Sequence, residues 1–432
     1  MNMHGWGRYP TSTSKLLDFE NITKLRNVVT DNDDLIPRGN GRSYGDSSLA
    51  SHIIQVRPHG YFLDFDEASG QLDVEAGVLL SEIIETFVPR GWFPKITPGT
   101  KLITVGGAIA SDVHGKNHHV AGCFSECVEF FNLMLPDGNI VRCSRDENTA
   151  LFRATCGGMG LTGIIIDARI HLERICSQYI DQVTMKTTNL EETFEAFESC
   201  SDNTYSVAWI DCYASGNELG RCLLMTGEFT NDGDLDYKPC KRLNIPFNLP
   251  SFTLNSYSVK TFNWLYYNRA RNGVSRQRVN IDSFFYPLDA IRNWNRIYGR
   301  KGFVQYQCAL PKQSSFEGLQ KILTTISASG KPSFLAVLKL FGEANNNYLS
   351  FPMEGYTLAL DFKVDDGVFA LLDLLDQIVL DHGGRIYLTK DARMSQDMLE
   401  QGYPQVETFR NLRKEHQMDT KFNSLQSTRL GL

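Results

Sequence analysis

The chain lacks the sequence features that mark membrane-spanning, exported or nucleic-acid-binding proteins. Along its 432 residues no run approaches the ~20 apolar residues that cross a bilayer. The N-terminal MNMHGWGRYP has neither the charged start nor the apolar stretch of a signal peptide. The net charge is −7 and no dense Lys/Arg run occurs, which argues against contacts with a nucleic-acid backbone. We therefore expect a cytoplasmic protein. Peripheral contact with a membrane surface stays open, because a small local surface patch would suffice for it.

Cysteine is present, but without the spacing of a zinc site or of a disulfide framework. The ten cysteines are scattered along a long chain that shows no export signal, so we expect reduced thiols. Cys123 and Cys127 lie four apart with no second pair to complete a zinc site. The sequence therefore predicts structural or incidental cysteines.

Three histidines lie close together between residues 113 and 120, which raises the question of a metal site. His114 and His118 have the i, i+4 spacing that binds zinc on a helix, and His119 follows directly. Gly115 and Asn117 disfavour a helix there, and no carboxylate base stands between the histidines as it does in H-E-x-x-H. We predict no metal site.

The composition is that of a globular protein, because 42% of the residues are hydrophobic, 22% are charged and no low-complexity tract occurs. The length suits two domains. The N-terminal part reads as an α/β unit with an amphipathic helix at 22–29 behind the cap residue Asn21. Further predicted elements are a strand at 71–75, a helix at 81–88 and an apolar strand at 163–170.

The C-terminal third alternates clearly between periods of two and 3.6 residues. This predicts a β-α-β-β-α-β unit of ferredoxin-like pattern, whose sheet has one face free to cover a neighbouring site. Its elements are strand 304–310, helix 315–327, strands 333–341 and 356–364, helix 367–380 and strand 385–388. Between residues 176 and 300 the pattern is less regular, and the aromatic segment Tyr257–Tyr267 is predicted as a loop.

Three segments are rich in glycine and small polar residues. The first, Gly39–Asp46, reads GNGRSYGD, and its backbone N–H groups can converge on an anion such as a pyrophosphate. Alone it is equally compatible with an ordinary surface turn, and its spacing is not that of the dinucleotide fingerprint. The second comprises TPGT at 97–100 and VGGAIA at 105–110, and the third reads CGGMGLTGII at 156–165. Three such turns in one α/β domain suit a long cofactor such as FAD.

This combination resembles the FAD-binding domain of the vanillyl-alcohol oxidase superfamily. The stretch GGAIASDVHGKNHH at 106–119 is similar to the decaprenylphosphoryl-β-D-ribose 2-oxidase family in particular. The resemblance continues in GNGRSYGD at 39–46, VQYQ at 304–307, LKLFG at 338–342, GRIYLTKDAR at 384–393 and the Arg429-Leu430 end, and so covers nearly the whole chain.

The resemblance implies an α+β, two-domain fold of the vanillyl-alcohol oxidase type. It assigns residues 1–175 to the FAD-binding domain, 176–385 to a substrate (cap) domain and 386–432 to a return to the FAD-binding domain. The implied reaction is FAD-dependent oxidation of the 2-hydroxyl of a polyprenyl-phosphoryl ribose to the keto sugar. In the family a separate short-chain reductase then completes epimerisation to arabinose for the cell envelope. An aldonolactone or alditol oxidase on the same fold, and a flavin-binding protein without catalysis, are the alternatives.

The resemblance also carries over the site residues. It implies catalytic roles for Lys390, Lys116, His114 and Tyr44 and substrate contacts for Lys116, Gln305, Gln307, Lys339 and Lys390. Gln305 and Gln307 alternate along a strand and share a face, whereas Lys339 stands in an alternating run and is also compatible with a solvent-facing position. His118 and His119 are expected to be structural. The implied cofactor contacts are Gly39, Asn40, Gly41, Arg42, Ser43, Tyr44, Gly45, Pro98, Gly99, Thr100, Val105, Gly106, Gly107, Ser111, His114, Gly115, Gly157, Gly158, Gly163, Ile164 and Tyr387.

Two positions depart from related sequences. Many relatives in the superfamily carry a flavin-linked histidine where this chain has Arg42, so we expect FAD to be bound non-covalently. Ala359 takes the place of a cysteine near the flavin in mycobacterial members, so inhibitors that bond to that cysteine should find no target here. The aromatic residues of 257–267, with Trp264 and Tyr267 foremost, are candidates for contacts with a prenyl chain, the alternative being a loop that covers the core.

Overall fold

The computed structural model describes residues 1–240, 243–250, 253–331 and 333–432. In the first 175 residues the helices are α1 Ile22–Asp31, α2 Leu80–Phe87, α3 Val105–Ala110, α4 His118–Ala121 and α5 Thr149–Thr155. The strands of this part are β1 Asn2–His4, β2 Thr11–Thr13, β3 Lys15–Leu17, β4 Leu35–Arg38, β5 His52–Gln55, β6 Phe62–Asp66, β7 Gln71–Glu75, β8 Trp92–Pro94, β9 Val128–Met134, β10 Ile140–Ser144 and β11 Ile164–Arg174.

The remainder of the chain adds ten strands and eight helices within the described residues. The strands are β12 Tyr179–Thr187, β13 Tyr205–Ile210, β14 Cys222–Phe229, β15 Leu243–Asn244, β16 Val274–Asn280, β17 Ile291–Arg292, β18 Phe303–Pro311, β19 Ala336–Phe341, β20 Gly355–Lys363 and β21 Arg385–Ile386. The helices are α6 Leu190–Ser199, α7 Ser256–Asn268, α8 Ile281–Phe285, α9 Ser315–Ser329, α10 Val368–Asp381, α11 Gln396–Gly402, α12 Val406–Glu415 and α13 Leu425–Leu430.

Two antiparallel sheets and a small parallel sheet form the framework, so the α+β class predicted from the sequence is confirmed. The parallel sheet has the order β3-β5-β4, and α1 lies just before β4 in the chain. The Asn21 side chain accepts a hydrogen bond from the Lys24 N–H and caps α1, which buries Leu25 and Val29. The first antiparallel sheet has the order β10-β9-β11-β7-β6, with β8 paired to the end of β11. The glycine-rich segments connect these elements.

The second antiparallel sheet has eight strands in the order β16-β12-β14-β13-β19-β20-β18-β21. Its last four strands, together with α9 and α10, lie within a few residues of the strands and helices predicted in the C-terminal third. Apolar residues of α9 and α10 pack in the same core as β18 and β20. The opposite face of the sheet, at Gln305, Gln307, Lys339 and Ala359, is turned toward a cavity.

The segment 257–267 is a helix, and the loop predicted there is wrong. The Asn255 side chain accepts from the Tyr257 and Ser258 N–H groups and starts α7. Helical spacing then buries Val259, Asn263 and Tyr267 on one face. Aromatic residues have modest helix propensity, so the helix depends on this cap and on packing against the eight-stranded sheet, which the local sequence does not display.

The C-terminal helices close the molecule against its N-terminal part. Leu35 of β4 forms a bridge with Phe422, and Arg413 is buried with its guanidinium donating to the carbonyls of Leu161 and Phe422. Arg429 of α13 forms ion pairs with Asp46 and Asp391, both of which are nearly inaccessible. No helix in the described part of the chain combines the length and apolar character that a bilayer crossing requires.

Candidate active site

A cavity of about 490 Å³ lies between the glycine-rich segments and the inner face of the eight-stranded sheet. The first wall contains Gly39 to Tyr44, Pro98 to Thr100, Gly106, Gly107 and Ser111. The facing wall is built from β13, β14, β18, β19 and β20, and the loop after β21 supplies Tyr387 and Lys390. Most of the residues predicted to bind cofactor or substrate therefore line one cavity.

The first glycine-rich segment passes close to the second. A Cβ on Gly39 would lie 2.3 Å from Thr104 Oγ1, so only glycine allows this approach. The Asn40 side chain donates to the Leu102 carbonyl at 2.7 Å and ties the two segments together. The Arg42 guanidinium stacks 4.1 Å from the ring of Trp6, which also lines the cavity. The two segments thus form one continuous wall.

The second segment presents bare backbone to the cavity. Thr104 caps α3, and its side chain accepts from the Gly107 N–H at 3.1 Å. Among the described residues, a Cβ on Gly99 would meet no atom within 4 Å, and one on Gly107 would meet only Thr104 Oγ1. The Thr100 hydroxyl and the Lys101 N–H both donate to Asp289, and these bonds hold the second segment against a distant part of the chain. These glycines leave space that a bound molecule can fill.

Five residues predicted as cofactor contacts do not line the cavity, which corrects that part of the set. Gly45 packs on the backbone of Asp391, and Gly158 packs on the Ala154 carbonyl. Gly157 donates its N–H to the Ile109 carbonyl, and Val105 and Ile164 are buried in the core behind the wall. From the third segment, the predicted Gly163 lines the cavity, together with Met159, Gly160 and Ile165, which were not predicted. Which glycine faces inward depends on how the segment packs.

His114 is buried in the wall as a neutral imidazole. Burial, together with the nearby charges of Lys339, His118 and Lys390, holds its pKa well below the usual value. The Gln307 side-chain amide donates to His114 Nε2 at 3.1 Å, which leaves the hydrogen on Nδ1. Nδ1 is buried without a protein partner among the described residues. A buried donor that lines a cavity without a protein partner fits a ligand acceptor.

Three lysines, Lys116, Lys339 and Lys390, lie on the cavity wall. Burial lowers the pKa of Lys390 to about 7 and that of Lys116 to about 7, and the charge of Lys339 adds to both effects. Burial alone lowers the pKa of Lys339 to about 8. No ion pair with a carboxylate is seen for any of the three within the described ranges. Lys339 thus faces the cavity, and the solvent-facing alternative is not what the structure shows.

The ammonium of Lys390 lies beside a buried polar cluster. Its Nζ is 4.0 Å from the centre of the Tyr44 ring. Gln305 donates to Asp361 Oδ1 at 2.6 Å, and the Tyr298 hydroxyl donates to Oδ2 of the same carboxylate at 3.3 Å. Burial raises the pKa of Asp361 to about 7, while the positive charge of Lys390 opposes that rise. Asp361 was not among the predicted site residues.

Other cavity residues also escaped prediction. Asp289 anchors the second glycine-rich segment, and Trp6, Trp209 and Trp294 line the cavity from distant parts of the chain. A buried carboxylate inside an otherwise apolar strand, as in 356–362, was the available signal for Asp361. The tryptophans carried no comparable signal, since an aromatic residue in a core and one in a cavity wall look alike in sequence.

His118 and His119 make structural contacts away from the cavity. His118 Nδ1 accepts from the Gly342 N–H at 3.2 Å, and His119 Nε2 bonds the Asn203 carbonyl at 2.8 Å. The short helix α4 begins only at His118, so His114 does not share a helical face with it. Within the described ranges no three His, Cys, Asp or Glu side chains are grouped as a metal site requires.

The aromatic helix α7 contributes to the cavity through two of the candidate aromatic residues of 257–267. Phe262 and Tyr266 line it, and Tyr266 packs 4.8 Å from Trp209. Tyr267 is instead buried, and its hydroxyl donates to the Thr187 carbonyl. Trp264 points away from the cavity and is 58% exposed. Tyr267 therefore does not face the cavity, and contact of Trp264 with a prenyl chain stays a prediction.

Comparisons with known proteins agree with this geometry. Residues 20–144 match a family model described as an FAD binding domain. The chain is 33% identical over 99% of its length to the decaprenylphosphoryl-beta-D-ribose oxidase of Mycolicibacterium smegmatis, of which it covers 97%. It is 29% identical over 82% of its length to an uncharacterised protein of Streptomyces coelicolor, which it covers completely. A shorter similarity, 34% over 24% of this chain and 19% of the relative, links it to cytokinin dehydrogenase 5 of Arabidopsis thaliana.

The cavity residues fit FAD. Bare backbone at Gly99 and Gly107 leaves space for an elongated group, and the buried Nδ1 of His114 offers a hydrogen-bond donor. Lys390 and Lys116 supply positive charge in a poorly solvated site, where charge on a cofactor or substrate can be neutralised. With the match of residues 20–144 and the identity along the whole chain, these features lead to one conclusion. The chain is an FAD-dependent oxidoreductase that belongs to the decaprenylphosphoryl-β-D-ribose oxidase family.

Proposed function

We propose that the protein oxidises the 2-hydroxyl of a polyprenyl-phosphoryl-β-D-ribose to the 2-keto sugar. The observation that carries this proposal is the presence of three partly buried lysines, Lys116, Lys339 and Lys390, in one cavity without carboxylate ion pairs among the described residues. Buried cations are costly unless an anion joins them. A sugar phosphate is such an anion, and the name of the Mycolicibacterium smegmatis relative supports this substrate class.

The lysines would divide the work between substrate binding and chemistry. Lys339 and Lys116 bind the phosphate, since both line the cavity. Burial lowers the pKa of each ammonium, so a bound anion would stabilise the charged form. Gln305 and Gln307 stand at alternate positions of β18 and orient the sugar hydroxyls. Gln305 has a second amide hydrogen to donate, whereas Gln307 donates to His114 and Thr357 and offers its Oε1 as an acceptor. Lys390, held over Tyr44, stabilises negative charge as it develops during the reaction. Asp361 keeps Gln305 in place and favours the protonated form of Lys390.

FAD, when bound, accepts the hydride equivalent from the sugar carbon. The residues that would hold it are the cavity-lining members of the three glycine-rich segments, with His114, Gly115 and Tyr387. Tyr387 donates its hydroxyl to the Ser111 carbonyl at 2.9 Å, which fixes its ring against this wall. Because Arg42 cannot form a histidyl linkage, we expect non-covalent binding. The purified protein should then release intact FAD on acid precipitation, and flavin that stays in the pellet would contradict this.

We also infer the domain division and its context. Residues 1–175 and 386–432 would bind FAD, and residues 176–385 would form the substrate domain over it. The strand order β21-β18-β20-β19, with α9 and α10 on one face, supports a ferredoxin-like unit in that domain. The keto sugar requires reduction to complete an epimerisation to the arabinose form used in cell-envelope glycans, so a short-chain reductase is the proposed partner. A peripheral position at the membrane suits a lipid-linked substrate.

The decisive test compares substrates by the rate at which they bleach the flavin absorbance in stopped flow. Phosphoryl ribose bearing a short prenyl chain should reduce the enzyme far faster than ribose, ribitol or a sugar lactone. Faster reduction by a lactone or a free alditol would place the enzyme with the sugar-lactone and alditol oxidases. Absence of reduction by every substrate would favour a flavin-binding protein without catalysis.

A further inference from the structure

One exposed face combines aromatic and basic residues, and it lies around α7. On α7, Tyr257, Trp264 and Leu265 are 85%, 58% and 56% exposed. Lys260 stands on the same outer face, because residues three, four and seven apart in a helix are neighbours. Arg269 and Arg271 follow the helix, and Val274 and Arg276 continue in the edge strand β16. We call these residues, Tyr257, Lys260, Trp264, Leu265, Arg269, Arg271, Val274 and Arg276, the basic aromatic surface.

The charge of this region is opposite to that of the rest of the chain. Residues 241–280 contain no Asp or Glu, although the whole chain has a net charge of −7. The same stretch contains seven basic residues, which are Lys241, Arg242, Lys260, Arg269, Arg271, Arg276 and Arg278. Of those in the described part of the chain, only Arg278 forms ion pairs, with Asp232 and Asp234. The other cations face solvent without a carboxylate partner in the described residues.

The inner side of the same helix reaches the cavity. Phe262 and Tyr266 line the cavity, and Phe262 packs 4.7 Å from Phe334, another lining residue. Phe262 is also 36% exposed, so α7 stands between the cavity and the protein surface. The exposed aromatic face therefore lies on the outer side of a helix whose inner side lines the cavity.

We infer that the basic aromatic surface binds the headgroup layer of a bilayer that contains anionic phospholipid. The inference rests on the proposed function, because a lipid-linked substrate supplies the reason for contact with a bilayer. Tryptophan and tyrosine favour the interface between headgroups and acyl chains. Arginine and lysine beside them are attracted to anionic headgroups. A second copy of this chain would bring two basic faces together, which charge repulsion opposes.

The experiment uses the FAD-loaded full chain in flotation assays with vesicles. Vesicles of phosphatidylglycerol and phosphatidylcholine should carry the protein upward at low salt, and vesicles of phosphatidylcholine alone should carry much less. Added salt should weaken binding, since it screens the charges. The charge variant Arg271→Glu/Arg276→Glu should bind roughly tenfold or more weakly, while Lys15→Glu/Lys414→Glu, with the same net charge change on other exposed positions, should bind as the parent does.

An apolar pair completes the design. Trp264→Ser/Leu265→Ser should also lose vesicle binding. Its matched control is Tyr61→Ser/Leu63→Ser, which removes an aromatic and an aliphatic residue that are 69% and 54% exposed elsewhere. All variants should keep the flavin spectrum and the melting temperature of the parent, and they should oxidise a water-soluble, short-chain substrate at the parent rate. If Trp264→Ser/Leu265→Ser loses flavin, its vesicle binding cannot be compared with that of the parent, and the charge variant Arg271→Glu/Arg276→Glu then decides the test.

The outcomes separate this inference from the proposed function. Equal vesicle binding by both surface variants and the parent would overturn the inference. A second result would also overturn it: the parent does not bind vesicles, and light scattering shows that the parent is a dimer and that Trp264→Ser/Leu265→Ser is a monomer. A second copy of the chain would then cover the surface. Vesicle binding that depends on these residues, in an enzyme that fails to oxidise any phosphoryl ribose, would retain the membrane contact and overturn the proposed substrate.

Discussion

At the residue scale, Lys390 places a positive charge where the cavity wall solvates it poorly. Burial lowers its pKa to about 7, and Asp361 opposes that shift. An ammonium in such a place needs no reorganisation of water to stabilise a developing negative charge. Loss of the Lys390 ammonium should therefore lower the rate of the chemical step and leave cofactor binding unchanged.

Lys390→Ala should retain FAD and lose flavin reduction by roughly 10²-fold or more, the usual effect of removing one preorganised donor. Stopped-flow reduction at saturating substrate measures this, and the flavin absorbance of the variant reports cofactor occupancy. An unchanged single-turnover rate would remove Lys390 from the mechanism.

The control for this role is the pH dependence of kcat/KM. The ammonium form of Lys390 is complete well below its pKa of about 7 and disappears as the pH rises through that value. The ratio of parent to Lys390→Arg should therefore fall as the pH rises above 7, because arginine stays charged and both proteins share the titrations of Lys116 and Lys339. A ratio that is constant from pH 6 to pH 9, roughly one unit below and two above that pKa, would mean that the charge of Lys390 has no part in the reaction.

At the element scale, the glycine-rich segments have two different needs for glycine. Gly39 is needed by the protein, since a Cβ would push into Thr104 Oγ1 and displace the cap of α3. Gly99 has open space beside it, so its bare backbone serves whatever occupies the cavity. The same residue type thus supports folding in one segment and binding in the next.

Gly39→Ala should lower both the melting temperature of the apoprotein and its affinity for FAD, with a cost of about 1 kcal/mol from the lost cap. Gly99→Ala should leave the apoprotein melting temperature unchanged and weaken FAD alone. Thermal melts of the apoprotein and flavin-fluorescence titrations measure the two effects. Equal FAD affinity in Gly99→Ala and the parent would mean that this turn does not contact the cofactor.

Helix α7 presents Phe262 and Tyr266 to the cavity and Trp264 and Leu265 to the outer surface. Phe262→Ala/Tyr266→Ala should raise KM for a prenylated phosphoryl ribose by roughly tenfold, because two aromatic side chains are lost from the cavity wall, and should spare FAD binding. The unprenylated head should be affected little. Trp264→Ser/Leu265→Ser, on the outer side, serves as the control in solution. A similar loss with both substrates would assign these aromatics to packing of the helix.

At the scale of the whole molecule, the C-terminal helix connects the two ends of the site. Arg429 pairs with Asp46, at the end of the first glycine-rich segment, and with Asp391, directly after Lys390. Burial raises the pKa of Asp46 even though the Arg429 charge opposes it. Gln426 of the same helix donates to the Leu388 carbonyl at 2.7 Å. The return of the chain therefore fixes the loop that carries Lys390 against the predicted cofactor wall.

Arg429→Ala should destabilise the protein by about 3–5 kcal/mol, because two nearly inaccessible carboxylates lose their partner. Urea unfolding followed by flavin release should show a lower midpoint and weaker FAD binding together. Lys321→Ala, which breaks an exposed pair with Glu317, should leave the midpoint unchanged. A small effect of Arg429→Ala would mean that water replaces the guanidinium and that the clamp is not structural.

The sequence by itself determined the family, the three glycine-rich segments and most elements of the C-terminal unit. These depend on local signals, namely the spacing of glycines and the hydrophobic periods of α9, α10, β18 and β20. Such signals lie within one contiguous stretch of sequence and do not require knowledge of the tertiary contacts. Strand alternation alone also predicted that Gln305 and Gln307 share one face of a strand.

Only the tertiary structure decided which side of each element faces the cavity. Lys339 alternates with apolar residues in a strand, and only the sheet's position over the cavity shows that it faces the cavity. Gly157 and Gly158 pack behind the wall while Gly160 and Gly163 reach it, and α7 is a helix because distant strands pack on Asn263 and Tyr267. Burial, pKa and orientation arise from contacts between segments far apart in the chain. Their local sequence therefore carries no record of them.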